Sequence, residues 1–167
     1  MYFIEPQNLE VVFQIIREHY GRREDVPVYE SDREGLSKLH GVLAGVKADY
    51  YPDIYGKAAY LIIQINKGHF FANGNKRLAL VCTLMFLFSN EALLKERSKD
   101  EFRSKLESLF PVFKAFEDDS VFNSAEFAYY NLSIVIAEST LHAESFDSLK
   151  GAVEDFIKYS FERPSLR

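Results

Sequence analysis

Leu78-Ala79-Leu80-Val81-Cys82-Thr83-Leu84-Met85-Phe86-Leu87-Phe88 is apolar at every position but Thr83. A helix that is apolar on almost every side is covered all round, so this stretch reads as the central helix of the fold. It is much shorter than the ~18 apolar residues that a membrane span needs. The expectation is a buried helix in a cytoplasmic protein with no membrane partner.

Working outward, the pattern stays helical. The central helix should begin near Asn75 and run to about Asn90. Before it, Pro52-Asp53 opens a helix whose inner face is Ile54, Ala58, Leu61, Ile62 and Ile65 and which stops at Gly68. Ser31, with Glu34 three residues on, has the pattern of a capping box, followed by the stripe Leu36, Leu39, Leu43 and Val46. Leu9, Val12, Phe13, Ile16 and Tyr20 form a first stripe, with Gly21 as its C-cap. Downstream come three more amphipathic stretches: Phe102/Leu106/Leu109/Phe113, Phe127/Tyr130/Ile134/Ala137 and Phe146/Leu149/Val153/Phe156/Ile157. Pro111 should end or kink the first of them. The one candidate for a hairpin arm is Val26-Pro27-Val28-Tyr29, which Pro27 would keep at an edge. With no repeat or linker in view, the expectation is an all-α single domain over residues 1–167.

Composition narrows the function. A chain of 167 residues can bury a sizeable core, and a net charge of −5 argues against a non-specific nucleic-acid binder. A local basic pocket is still allowed. Cys82 is the only cysteine, which excludes an intrachain disulfide and a cysteine-rich metal site. In the middle of the central helix it reads as an inert small hydrophobe. Residues 1–6 lack the basic flank and apolar run of a signal peptide.

The chemistry lies just before the central helix, in His69-Phe70-Phe71-Ala72-Asn73-Gly74-Asn75-Lys76-Arg77. This segment delivers a Gly-Asn pair to a helix N-terminus, where unpaired N–H groups and the positive dipole end attract anions. Gly74 lets the backbone approach a ligand closely, and Asn75, Lys76 and Arg77 surround the same spot with an amide and two cations. A phosphate chain is the natural guest. His69 is the best neutral-pH candidate to take a proton from an attacking hydroxyl. An anion cradle beside a base points to phosphoryl or nucleotidyl transfer.

The segment resembles the signature of the Fic/Doc superfamily, His-x-Phe-x-(Asp/Glu)-Gly-Asn-(Gly/Lys)-Arg, at His69, Phe71, Gly74, Asn75, Lys76 and Arg77. It looks like the Doc branch, because Lys76 stands where Fic proteins have Gly and Leu80 where they carry a second arginine. Arg33-Glu34-Gly35-Leu36, Tyr51-Pro52-Asp53 and Lys57-Ala58-Ala59 also look like Doc proteins. The resemblance covers roughly residues 5 to 90, and residues 91–167 diverge. It implies a compact helical fold and the toxin of a toxin–antitoxin pair. That toxin would be a kinase using ATP with Mg²⁺ on a protein substrate, for which an elongation factor of translation is the precedent. His69 would be the general base, with Phe71 buried to hold the loop. Gly74 and Asn75 would form the anion hole, and Lys76 and Arg77 would contact the phosphates. The alternatives are AMP transfer, as in Fic proteins, and a weakened module that binds a nucleotide or a partner.

One departure bears on the metal. Asn73 occupies the position where the family has an acidic residue that helps hold Mg²⁺, so it is at best a weak ligand. His19, His40 and His142 have no comparable context and read as structural. Thr140 with Glu144 loosely resembles the inhibitory helix motif of Fic proteins, Ser/Thr-x-x-x-Glu-(Gly/Asn), but Ser145 breaks it. Inhibition by a separate antitoxin protein or peptide is therefore the expectation.

Overall fold

The protein is described by a computed structural model covering residues 1–23, 25–141 and 145–164. Its described residues form seven α-helices: α1 (Leu9–Tyr20), α2 (Arg33–Gly45), α3 (Ile54–Gly68), α4 (Asn75–Ser89), α5 (Lys99–Leu109), α6 (Ser124–Ala137) and α7 (Phe146–Ser160). The all-α expectation holds. No described helix is long and apolar enough to cross a membrane.

Most of the helices start where a short polar side chain satisfies their first orphan N–H groups. The side chains of Asp53, Ser98, Asn123 and Ser145 accept from the backbone of Gly56, Glu101, Glu126 and Ser148. Each such cap contributes about 1 kcal/mol. At α2 the cap differs from the sequence expectation by one residue. Asp32, not Ser31, takes the extended N-cap backbone and accepts from Gly35 at 2.8 Å. Ser31 closes a 3-10 turn instead, its hydroxyl donating to the Val28 carbonyl. Glu34, freed from any capping box, pairs with Lys38 one turn on.

The 25–28 segment carries no regular structure, so Val26-Pro27-Val28-Tyr29 is not a hairpin arm. The strand pair lies elsewhere: β1 (Leu93–Leu94) and β2 (Phe161–Glu162) run antiparallel with Leu94 opposite Phe161. This short ribbon ties the exit of α4 to the end of α7.

α3 and α4 pack against each other along their length, with α1 and α6 also on α4 and α2, α6 and α7 on α3. Lys57 fixes the α2–α3 turn. It is buried, and its ammonium donates to the Val46 and Ala48 carbonyls at 2.7 and 2.6 Å. The α4 core residues Leu78, Ala79, Leu80, Cys82, Phe86 and Leu87 are all buried. The coat is not complete, however. Leu84 and Met85 are half-buried and Phe88 is 51 % exposed. Together with Ile15 of α1 and Phe102 of α5 they line a groove of about 1000 Å³. Positions 84, 85 and 88 form one helical stripe, and α1 and α5 wall this stripe without closing over it.

Cys82 lies in the closed part, and burial pushes its thiol up to about 12. The folded protein should not react with a thiol reagent at pH 8, whereas unfolded protein reacts at once. Native-state labelling at the rate of a free thiol would contradict this packing.

Candidate active site

The loop between α3 and α4 reverses direction twice, at His69 (φ 47°, ψ 47°) and at Gly74 (φ 73°, ψ 7°), both in the left-handed region. The second reversal demands glycine for two reasons. A Cβ at position 74 would strain the backbone, and it would come within 2.5 Å of the Tyr29 hydroxyl and 2.9 Å of Pro27. Between the reversals the loop is closed by Asn75, whose Oδ1 accepts from Phe71 N at 3.1 Å and whose Nδ2 donates to Phe71 O at 2.6 Å. From outside, the Tyr29 hydroxyl donates to the Gly74 carbonyl at 2.9 Å.

Aromatic packing holds these bonds in register. Phe71 is buried and meets Tyr29 edge to face at 4.9 Å, and Tyr29 stacks on Phe13 at 4.8 Å. α2 can lie against the loop only because residue 35 is glycine, since a Cβ there would come within 2.6 Å of Phe70 O and the Phe71 ring. The resemblance at Gly35 thus has a steric origin.

A cavity of about 310 Å³ opens at this loop, lined by Asn66, His69, Asn73, Gly74, Asn75, Lys76, Arg77, Tyr130 and Ala137. Six of these nine are the residues singled out from sequence, and the structure brings all six together. Gly74 is the N-cap of α4 and offers no side chain to cap it. The first backbone N–H groups of α4 therefore have no side-chain cap, an arrangement that suits an anion. The Asn75 amide is already engaged with Phe71, so what Asn75 offers a ligand is its main chain. Lys76 is half-buried at the cavity wall. His69 is exposed, and among the described residues nothing hydrogen-bonds its imidazole.

Arg77 is the least exposed of the charged groups here, at 8 %. Its guanidinium carbon sits over the rings of Tyr20 at 4.3 Å, Tyr130 at 4.2 Å and Phe122 at 5.3 Å. Ring contacts of this kind engage the faces of a guanidinium. Desolvated contacts of this type are each worth up to about 2 kcal/mol. The sequence reading placed Tyr20 and Tyr130 only as stripe residues and did not single out Phe122. No local motif could have linked these positions, which lie on α1, α6 and the segment before α6.

No carboxylate lines the cavity, and no cluster of His, Cys, Asp or Glu suited to a metal exists among the described residues. Asn73 is exposed and neutral. Mg²⁺ is normally held through one or two carboxylates with phosphate oxygens and waters, so these residues do not make a magnesium site of their own. Leu80 is buried and lines the larger groove, not this cavity. His19 pairs with Glu126, and His40 is exposed on α2. His142 and Glu144 lie outside the described residues, and with Glu144 the resemblance to an inhibitory helix.

A family model described as the Fic/DOC family matches residues 6–87, which takes in α1 to α3, the whole of the loop and all but the last two residues of α4. No curated protein matches the chain.

Three variants test the geometry. Gly74→Ala should destabilise the fold by about 1–3 kcal/mol in denaturant titration and abolish binding of inorganic triphosphate. Tyr130→Leu should weaken triphosphate binding about tenfold while Tyr130→Phe, which keeps the ring, stays near the parent value. Equal losses for Leu and Phe would show that the ring face is not what Arg77 uses.

Proposed function

We propose that residues 6–87, which match the model of the Fic/DOC family, carry the active centre of a Doc-like kinase. In this reading the γ-phosphoryl of ATP passes to a hydroxyl of a protein target. His69 takes the hydroxyl proton as the oxygen attacks the γ-phosphorus, the bond to the bridging β,γ-oxygen breaks, and ADP leaves. The α4 N-terminus and Lys76 hold the phosphate chain, and Arg77 adds positive charge beside it.

The observation that carries this reading is the shared cavity of His69, Gly74, Lys76 and Arg77 at an uncapped helix start. Among the described residues it brings one base together with two cations, inside a chain of net charge −5. Phosphoryl rather than AMP transfer is favoured by Lys76 at the Gly position of Fic proteins and by Leu80, which faces the other cavity. A Mg²⁺ ion accompanying ATP would meet no carboxylate among the described lining residues, and with Asn73 at best a weak ligand the phosphates would hold it largely unaided. The biological role that goes with this chemistry is that of a cytoplasmic toxin, its target a translation elongation factor and its inhibitor an antitoxin protein or peptide.

A second reading rests on the same missing carboxylate: a nucleotide-binding module without turnover. Lysate incubated with the protein and ATP labelled in either the α- or the γ-phosphate separates the cases. Transfer of γ-label to protein, reduced 10²- to 10⁴-fold by His69→Ala, is the expected result. Transfer of α-label would assign AMP transfer instead. ATP bound without label transfer, in a folded protein, would assign the binding module. Asn73→Asp should raise Mg²⁺-dependent turnover of the kinase, and an unchanged rate across a Mg²⁺ titration would count against Asn73 as the weak point.

A further inference from the structure

Asn73 and Gly74 form the single Asn-Gly step in the chain. Both line the cavity, and Asn73 is exposed in the bend that precedes α4. Among the described residues nothing hydrogen-bonds the Asn73 side chain, and the Gly74 N–H donates to none of them. Asn75, two residues on, is the contrast, since its Oδ1 and Nδ2 are both engaged by the Phe71 backbone. Glycine is required at position 74 by its left-handed φ of 73° and by the Tyr29 hydroxyl against it. It also leaves its own nitrogen unshielded by any side chain. The constraint that shapes the loop thus puts an unrestrained carboxamide beside an open backbone nitrogen.

We propose that Asn73 is a site of spontaneous deamidation, through which the chain gains at residue 73 a carboxylate that the described walls of its cavity lack. The Gly74 nitrogen loses its proton and attacks Asn73 Cγ, so that an N–Cγ bond forms. The Cγ–Nδ2 bond breaks, and Nδ2 leaves with the proton as ammonia, closing a succinimide ring. The positive end of α4 favours negative charge on the attacking nitrogen. Water then opens the ring. Its attack at Cγ breaks the new N–Cγ bond and gives aspartate, whereas attack at the main-chain carbonyl of residue 73 gives isoaspartate. Without a carboxylate, the described residues make no Mg²⁺ site of their own. Conversion to aspartate supplies that group at an exposed position on the cavity wall. The cyclisation needs no nucleotide, and only its consequence for Mg²⁺ rests on the phosphate reading of the site.

Warm incubation of the intact protein at pH 8, followed by tryptic peptide mapping, tests this. Asn73 and Asn75 fall together in the peptide 68–76, so the second serves as a control for the first. Residue 73 should gain one mass unit, in separable aspartate and isoaspartate forms, while Asn75 keeps its amide. Asn73→Gln, whose longer side chain closes this ring poorly, should stay unchanged. The aspartate form, isolated by anion exchange, is then titrated with tripolyphosphate beside fresh protein. Its added charge should weaken binding without Mg²⁺ and strengthen it with Mg²⁺, as in Asn73→Asp. An Asn73 amide that survives in the folded protein while the excised peptide converts overturns the proposal and leaves the kinase reading standing. Conversion to isoaspartate alone, or an aspartate form that Mg²⁺ does not help, overturns the gain of a metal ligand. Conversion in a protein that binds no tripolyphosphate, fresh or aged, upholds the deamidation and overturns the phosphate reading.

Discussion

Asn75 places its side-chain amide on the backbone of Phe71, satisfying one donor and one acceptor of the loop at a single residue. Each such bond is worth only about 0.5–1.5 kcal/mol net, yet the consequence is geometric. With the loop closed at residue 71, the chain must enter α4 through a left-handed residue, and glycine alone fits the space beneath Tyr29 and Pro27. Glycine has no side chain with which to cap the helix. The amide that closes the loop thus leaves the first N–H groups of α4 to a ligand.

The residues beyond 87 belong to the same arrangement. Tyr130 and Ala137 of α6 line the cavity, and Phe122 with Tyr130 covers Arg77. Ser133, also on α6, anchors the Asn66 amide. The segment outside the family match therefore builds one wall of the site as well as sharing the hydrophobic cluster of α1 to α4. Tyr20 belongs to both cavities' surroundings, since it lines the apolar groove and packs on Arg77.

Sequence alone located the helices because each carries an apolar stripe and most begin at a short polar cap. It also located the loop ahead of α4, because Gly74 through Arg77 are contiguous and their chemistry is local. The shift from Ser31 to Asp32 escaped it, since two adjacent residues can both cap and only the tertiary position of Tyr29 selects between them. So did the open stripe on α4. Leu84, Met85 and Phe88 are as apolar as their buried neighbours, and coverage depends on where α1 and α5 end up. The Arg77 cage was out of reach for the same reason: its rings, Tyr20, Phe122 and Tyr130, lie far from it in the chain.

Whether residues 69–77 form one phosphate-binding surface is tested most directly by backbone amide NMR with added ATP. Shifts should concentrate at Gly74, Asn75, Lys76 and Arg77, extend to Asn66 and Tyr130, and be reproduced at the α4 start alone by tripolyphosphate. Shifts confined to the groove around Leu84 and Phe88, with the loop amides unmoved at saturating ATP, would contradict it.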